Sequence, residues 1–201
     1  MILVGSKNPH KLLEVRQILD PLGIRAVIAV DLPDVEEDGD TFAANAAKKA
    51  LVFAEYLKSP CLADDSGLVI PALNGEPGIF SARYAGEDAT DDQNLQKVLD
   101  QLAARGLKEP EASFVCSIAV AVPTPTGAEL VLATEGSVHG VILDERRGEN
   151  GFGYDPIFYL SDLGKTTAEL PPEEKNRLSH RAAALRKLAT QLPAVLDRLG
   201  L

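Results

Sequence analysis

The chain has 201 residues, 45% apolar and 25% charged, with two cysteines. This is the profile of an ordinary globular protein long enough to bury a full core, as one domain or two tightly joined lobes. Twenty Lys and Arg stand against 30 Asp and Glu, a formal net charge of −10. That balance argues against a nucleic-acid polymer as partner, because such binding is driven by phosphate neutralisation. A small anion remains admissible where basic residues converge or a divalent cation bridges it to acids.

In chain order, Ile2 to Val4 reads as a strand, and Pro9 to Leu19 as a helix with Asn8 at its N-cap and Pro9 at its first position. Ile24 to Val30 is β-branched and reads as a second strand. Thr41 then caps a helix running to about Leu57, with an apolar stripe through Phe42, Leu51, Ala54 and Leu57. Cys61 to Ile70 is a strand carrying a polar insert, and Asp91 to Ala104 is an amphipathic helix. Ser113 to Val122 and Ala128 to Glu135 read as strands joined by a hairpin at Pro123 to Gly127, and Gly136 to Leu143 continues as strand. A glycine-rich loop, Gly148 to Asp155, follows. Helices are expected around Arg177 to Gln191 and Ala194 to Leu199. Strands beside helices early and a meander later predict an α/β protein with a mixed sheet.

Cys61 and Cys116 are far apart and have no metal-ligand spacing, so two buried thiols in a reducing compartment are expected. The first residues turn polar at Gly5 and Ser6, unlike a signal peptide. No apolar run approaches the roughly 20 residues that span a bilayer. A cytoplasmic protein with no membrane partner is the expectation.

Four polar clusters interrupt the pattern. Ser6-Lys7-Asn8-Pro9-His10-Lys11 is a strand-to-helix turn whose backbone N–H groups and helix dipole favour an anion, with Lys11 one turn on. A plain N-cap with solvated lysines accounts for it equally well. Asp34 to Asp40 is an acidic loop ahead of the Thr41 helix, and by itself reads as a solvated run. Asp64 and Asp65 end an apolar strand. Neighbouring strand residues point to opposite faces, so at most one of the two faces a given site. Paired acids bounded by apolar residues are costly to desolvate, which favours a Mg²⁺ ligand or a general base over a structural role. The fourth cluster is Gly151 to Pro156 with Lys175, Ser179, His180 and Arg181. Its glycines allow close backbone approach and Phe152 offers a ring to stack on a base; a tight turn and a solvated helix start are the plainer account. The chain has no dinucleotide G-x-G-x-x-G, no P-loop and no G-x-S-x-G elbow.

Taken in order, these clusters resemble the inosine triphosphate pyrophosphatase family, which hydrolyses non-standard purine nucleoside triphosphates. The resemblance runs from Ile2 to about Leu188. It rests on Ser6 to Lys11, on Glu36 to Phe42 with Asn45 and Lys48, on Ala63 to Leu68, on Pro77 to Gly86, on Gly151 to Pro156, and on Ser179 to Arg181. It implies an α/β fold of two lobes around an elongated mixed sheet, forming a single domain over residues 1–201, with a central active-site cleft and a homodimer. It implies a Mg²⁺-dependent pyrophosphatase acting on dITP, ITP and XTP.

Carried onto this sequence, Ser6, Lys7, Asn8, Pro9, His10 and Lys11 hold the triphosphate. Asp65 binds Mg²⁺ and serves as the base, Glu36 is a further metal ligand, and Lys48 and Ser66 contact phosphate. Phe152, Gly153, Tyr154, Asp155, Lys175, His180 and Arg181 hold base and sugar. Pro71 stands where the family commonly shows an acid, so no third carboxylate is assigned there, and loop alternation leaves Glu36 and Glu37 as alternatives for the metal. A nucleotide sensor that binds without hydrolysis is the reading of a different class. The acids and Lys11 that its loss of chemistry would remove are all present.

Overall fold

Local sequence signals decide where the elements begin. Thr41 closes the start of a helix because its side chain accepts a hydrogen bond from the Ala44 N–H at 3.1 Å. Thr90 and Gln93 form a reciprocal capping box at the start of another. The computed structural model describes residues 2–6, 9–29 and 31–200, with Pro9, His10 and Leu22 as backbone only. Over these residues the order is β1 (Ile2–Val4), α1 (Pro9–Leu19), β2 (Ala26–Ile28), α2 (Phe42–Leu57), β3 (Cys61–Val69), α3 (Asp91–Ala104) and β4 (Glu111–Thr124), followed by β5 (Gly127–Ile142), β6 (Phe158–Leu160), β7 (Lys165–Thr166), α4 (Pro172–Leu178) and α5 (His180–Leu199).

The strands form one mixed sheet in the order β2-β1-β3-β4-β5-β6-β7. β1 pairs in parallel with both β2 and β3, while β6 pairs antiparallel with β5 and β7. Only Pro125 and Thr126 separate the adjacent strands β4 and β5, a link short enough for a hairpin alone. The α/β mixed-sheet expectation is met.

Three elements differ from expectation. β2 is shorter, because the Ile24 N–H is used on the Leu19 carbonyl to close the end of α1; Val30 lies outside the described residues. The last helical stretch breaks at Ser179, whose backbone is extended, and not at Pro193, which α5 carries in its interior. Leu188 and Leu192 are fully buried just before that proline, and their packing outweighs the roughly 3 kcal/mol a helix-interior proline costs. The fully buried face of α2 is centred on Ala46, Ala50, Phe53 and Ala54; of the expected stripe Ala54 lies within it, Leu51 and Leu57 pack partly buried at its edge, and Phe42 is half-buried.

The chain divides into two compact units. Unit 1 comprises Met1–Asp65, Cys116–Gly136 and His180–Leu201. Its sheet segment is covered on both faces, and strand alternation sorts the residues. Leu62, Cys116, Ile118 and Val120 pack with Val15 and Leu19 of α1 and Leu185 and Leu188 of α5. Cys61, Ala63, Ala119 and Ala121 pack with Ala46, Ala50 and Phe53 of α2. Each fully buried leucine contributes about 1.5–3 kcal/mol relative to an exposed one. Both cysteines are free and buried, and burial pushes each thiol up to about 12.

Unit 2 comprises Ser66–Val115 and Ser137–Ser179. Its core joins Leu68 of β3 and Ile70 just after it to Val98 and Leu102 of α3, with Phe114, Ile157 and Phe158. The Phe114 and Phe158 rings are tilted at 43° with centroids 4.5 Å apart. The Gly78–Arg83 stretch is a 3-10 turn tied down by Ser81, whose hydroxyl accepts from the Leu68 N–H at 2.9 Å and donates to the Gly78 carbonyl at 2.6 Å. Asn94 accepts from the Ala85 N–H and donates to the Ala82 carbonyl, pinning the same segment to α3.

Candidate active site

Asp64 and Asp65 stand in the middle of β3 and not at a strand end as expected, because the strand runs on through Ser66 to Val69; this stretch concentrates the charge of unit 1. Strand alternation sends Asp64 to the face covered by α1 and α5, with Leu62, and Asp65 to the face covered by α2, with Cys61 and Ala63. Both carboxylates are buried, and both have partners.

Asp64 Oδ2 lies 3.1 Å from Lys11 Nζ, and it accepts from Arg181 Nη2 at 3.1 Å and Nε at 3.3 Å. Arg181 Nη1 donates to Glu14, so each nitrogen of this guanidinium, 1% exposed, meets a carboxylate. Burial works to raise the Asp64 carboxyl, but Lys11, Arg181 and Lys49 together overcome it and hold the group well below the usual carboxylate range. The same carboxylates overcome burial at Arg181 and push its guanidinium up. This is a network of two acids and two bases.

Asp65 has a different setting. Its Oδ2 accepts from Asn45 Nδ2 at 3.1 Å and its Oδ1 is 3.6 Å from Lys49 Nζ. Burial raises its carboxyl, and the nearby Glu37 charge adds to that; Lys49, Lys11 and Asn45 oppose it without cancelling it. Lys49 also pairs with Glu37 of the acidic loop. Burial disfavours the Lys49 ammonium, yet Asp65, Asp64 and Glu37 more than offset that and hold it above the ordinary lysine value. Two adjacent aspartates are thus pushed in opposite directions, the pattern that separates a fixed charge from a group able to accept a proton.

Of the residues expected here, Ser6 is half-buried after β1 and Lys11 sits in the first turn of α1 on Asp64. Lys7 and Asn8 lie outside the described residues, and Pro9 and His10 open α1 as backbone. His180 is the half-buried first residue of α5. Ser66, half-buried, follows Asp65 along β3 and belongs to unit 2. Pro71, exposed, opens a 3-10 turn whose Leu73 is buried. The structure brings Glu37 and Lys49 to Asp65, whereas Glu36 is exposed and Lys48, 39% exposed, pairs with Asp38 at 2.6 Å.

The reason is helical phase. Asn45, Lys49 and Phe53 recur every fourth residue on the face of α2 turned to the sheet, and Lys48 is rotated off it. The stripe Asn45-Ala46, Lys49-Ala50, Phe53-Ala54 is the signal that finds Lys49 from sequence. Glu14 has no comparable signal, since its partner is 167 positions away.

In unit 2 the second set converges on Asp155. Its Oδ2 accepts from the Phe152 N–H at 2.8 Å and from Lys175 Nζ at 2.5 Å, and its Oδ1 accepts from the Thr167 hydroxyl at 2.9 Å. The Lys175 ammonium lies 4.6 Å from the centroid of the half-buried Phe152 ring. The Gly153 N–H donates to Asp91 at 2.9 Å. The buried Tyr154 donates its hydroxyl to the Ser81 carbonyl at 2.7 Å, and burial pushes that phenol up. Gly151, at φ +81°, has no room for a side chain: a Cβ there would stand 2.1 Å from Asp155 Oδ2 and 3.1 Å from Lys175 Nζ.

A hard divalent cation such as Mg²⁺ takes one or two carboxylates together with substrate phosphate oxygens rather than an all-protein cage. Asp65 and Glu37, gathered on one lysine, are donors of that kind. Among the described residues no group of three or more His, Cys, Asp or Glu is arranged to hold a metal by itself. The donor set therefore fits a cation shared with a phosphate ligand.

Comparison with known proteins agrees along nearly the whole chain. A dITP/XTP pyrophosphatase of Geobacter sulfurreducens is 48% identical over 194 residues, covering 95% of this chain and 96% of that protein. A dITP/XTP pyrophosphatase of Geobacillus kaustophilus is 45% identical over 203 residues, covering 99% and 97%. The solved structure of a Ham1 protein from Coxiella burnetii is 46% identical and superposes with a TM-score of 0.86, covering 96% of this chain and 98% of that one. With the Ham1 family matched over residues 2–191 and relatives at this identity covered almost end to end, the chain belongs to the Ham1 family.

Proposed function

We propose that this chain is a Mg²⁺-dependent nucleoside triphosphate pyrophosphatase that hydrolyses non-standard purine nucleotides, dITP, ITP and XTP, to the monophosphate and pyrophosphate, and so removes them from the nucleotide pool. The observation that carries it is the division of labour in the middle of β3. Asp64 is bound into the Lys11 and Arg181 network, while Asp65 is held apart from it by Asn45 and Lys49. Relatives that bear the name dITP/XTP pyrophosphatase support the substrate class.

In this reading water attacks the α-phosphorus, the bond from that phosphorus to the bridging oxygen breaks, and pyrophosphate leaves. Asp65 takes the proton from the water. Ser6 to Lys11 hold the triphosphate, and Lys48 and Ser66 add contacts to its oxygens. Mg²⁺, held by Asp65 with Glu36 or Glu37, supplies charge neutralisation when bound. The position of Glu37 on Lys49 favours it over Glu36.

Base and sugar fall to Phe152, Gly153, Tyr154, Asp155, Lys175, His180 and Arg181. Phe152 offers the stacking face. Hypoxanthine and xanthine carry a keto oxygen at position 6 where adenine carries an amino group, so donors aimed there leave adenine mismatched. Lys175, His180, Arg181 and backbone N–H groups are the donor candidates, and such a site discriminates by about 10⁴. Guanine shares the keto oxygen, so its 2-amino group must be what is refused. The internal bonds of Tyr154 and Arg181 support indirect roles for these two, holding the loop and α5.

The protein is further proposed to act as one domain of two lobes, as a cytoplasmic homodimer on a small-molecule substrate, without nucleic-acid polymer or membrane as partner. No helix among the described residues is long and apolar enough to cross a membrane. The test is pyrophosphate release from ITP, dITP, XTP, ATP, GTP and pyrimidine triphosphates, with and without Mg²⁺. Release from the first three well above the rest, and only with the metal, is expected. Equal rates with every purine, or binding of ITP without release, overturns the proposal.

A further inference from the structure

Asn45, early in α2, is 0% exposed, and its side chain joins two parts of unit 1. The backbone N–H of Gly39 lies 2.8 Å from one end of the amide and Asp65 Oδ2 lies 3.1 Å from the other. Chemistry fixes which end is which. A backbone N–H only donates, so the atom facing Gly39 is the amide oxygen, and the amide nitrogen necessarily faces Asp65. That nitrogen only donates, so Oδ2 of Asp65 is committed as an acceptor, while Oδ1 is left on the side of Lys49 at 3.6 Å.

The acidic loop rests directly on the same amide. A Cβ at position 39 would stand 2.7 Å from Asn45 Oδ1 and 2.9 Å from the Ala44 Cβ, so only glycine allows this approach. Two residues back along the loop, Glu37 reaches Lys49, which in turn faces Asp65. One buried side chain thereby sets both the rotation of the Asp65 carboxylate and the seat of the loop that carries Glu37.

We propose that Asn45 is a positioning residue for the reaction: it determines which oxygen of Asp65 is presented for chemistry and locks the Asp34–Asp40 loop to that orientation. This rests on the reading of Asp65 as the base. An aspartate at position 45 is the discriminating replacement. It keeps an acceptor for the Gly39 N–H, and so preserves a purely structural tie, but it removes the donor to Asp65 and places a second carboxylate beside it.

The test compares wild type, Asn45→Asp, Asn45→Ala and Asp65→Asn by steady-state pyrophosphate release from dITP, together with thermal melting in the absence of metal and nucleotide. Both Asn45 variants are expected to be folded at assay temperature, with kcat lowered about 10–100-fold, the usual effect of losing a group that orients a reactive side chain. KM for dITP is expected to stay within about twofold, since transition-state geometry and not ground-state binding is affected. Wild-type kcat in Asn45→Asp overturns the proposal. If that variant is unfolded, Asn45→Ala decides on the same criterion, and if neither folds the role is structural and the proposal fails. An inactive wild type, or an active Asp65→Asn, would instead show that the reading of Asp65 had failed.

Discussion

Asp64 and Asp65, neighbours in one strand, are held by opposite layers of the fold: Asp64 Oδ2 is 3.1 Å from Lys11 Nζ of α1, and Asp65 Oδ2 is 3.1 Å from Asn45 Nδ2 of α2. The pleat of β3 alone produces this separation. It lets one carboxylate stay charged inside an ion-pair network while the next, more weakly compensated, is available to exchange a proton.

The network around Asp64 makes Arg181 a stability element. Arg181→Met removes the cation shared by Asp64 and Glu14 and leaves two buried carboxylates short of charge. Breaking a buried pair in this way costs about 3–5 kcal/mol. Chemical denaturation of the variant should show that loss, and an unchanged midpoint would contradict the network described.

Acid should act through the same group. The Asp64 carboxyl is held lower in the folded chain than in the unfolded one, so its stabilisation is complete above the ordinary carboxylate value, about 3.9, and is lost as pH falls toward and through the folded value. Urea midpoints followed from pH 7 down to about 3 should therefore fall more steeply for wild type than for Asp64→Asn. Parallel curves would remove Asp64 from the account.

Lys48 and Lys49 should separate cleanly. Lys49, 12% exposed in its side chain, neutralises Glu37 and Asp65 together. Lys49→Met should lower kcat about 10²-fold, as removal of a preorganised charge does. Lys48→Met disturbs only an exposed, solvent-screened pair and should raise KM while sparing kcat. Steady-state kinetics of the two variants measures the ranking, and the reverse order would contradict it.

How far the sequence reaches is visible in these two lysines. Adjacent helix residues differ by about 100° in direction, so Lys49 faces Asp65 while Lys48, the lysine expected from sequence, is turned toward Asp38. The stripe of small and aromatic residues through Ala46, Ala50 and Phe53 contained the right phase. Elements with local stop and start signals, such as α3 behind its Thr90 capping box, were legible to the residue. β2 was not, because the fate of the Ile24 N–H depends on where α1 ends. The Glu14–Arg181 pair joins residues 167 apart and is set by packing of α1 against α5, which no local pattern encodes. The paired acids of β3 and the Phe152–Asp155 loop stood out in sequence, but which partner each one takes is a property of the assembled layers.

The glycines of that loop give a further comparison. Gly151→Ala places a Cβ onto Asp155 and against Lys175, whereas Gly153→Ala, at φ +60°, meets nothing within 4 Å and bears only the backbone penalty of about 1–3 kcal/mol. The ratio of kcat/KM for dITP over dATP should collapse in Gly151→Ala and be largely retained in Gly153→Ala. Equal ratios in the two variants would mean that the Asp155–Lys175 pair does not govern selection of the base.

The central claim is that Asp65 is the proton acceptor of a metal-dependent pyrophosphatase, and its most direct test is pyrophosphate release from dITP by Asp65→Asn at saturating Mg²⁺. The substitution keeps the shape and an acceptor for Asn45 while abolishing the base, so turnover should fall by about 10²–10⁴-fold with the melting temperature little changed. Turnover near that of wild type would contradict it.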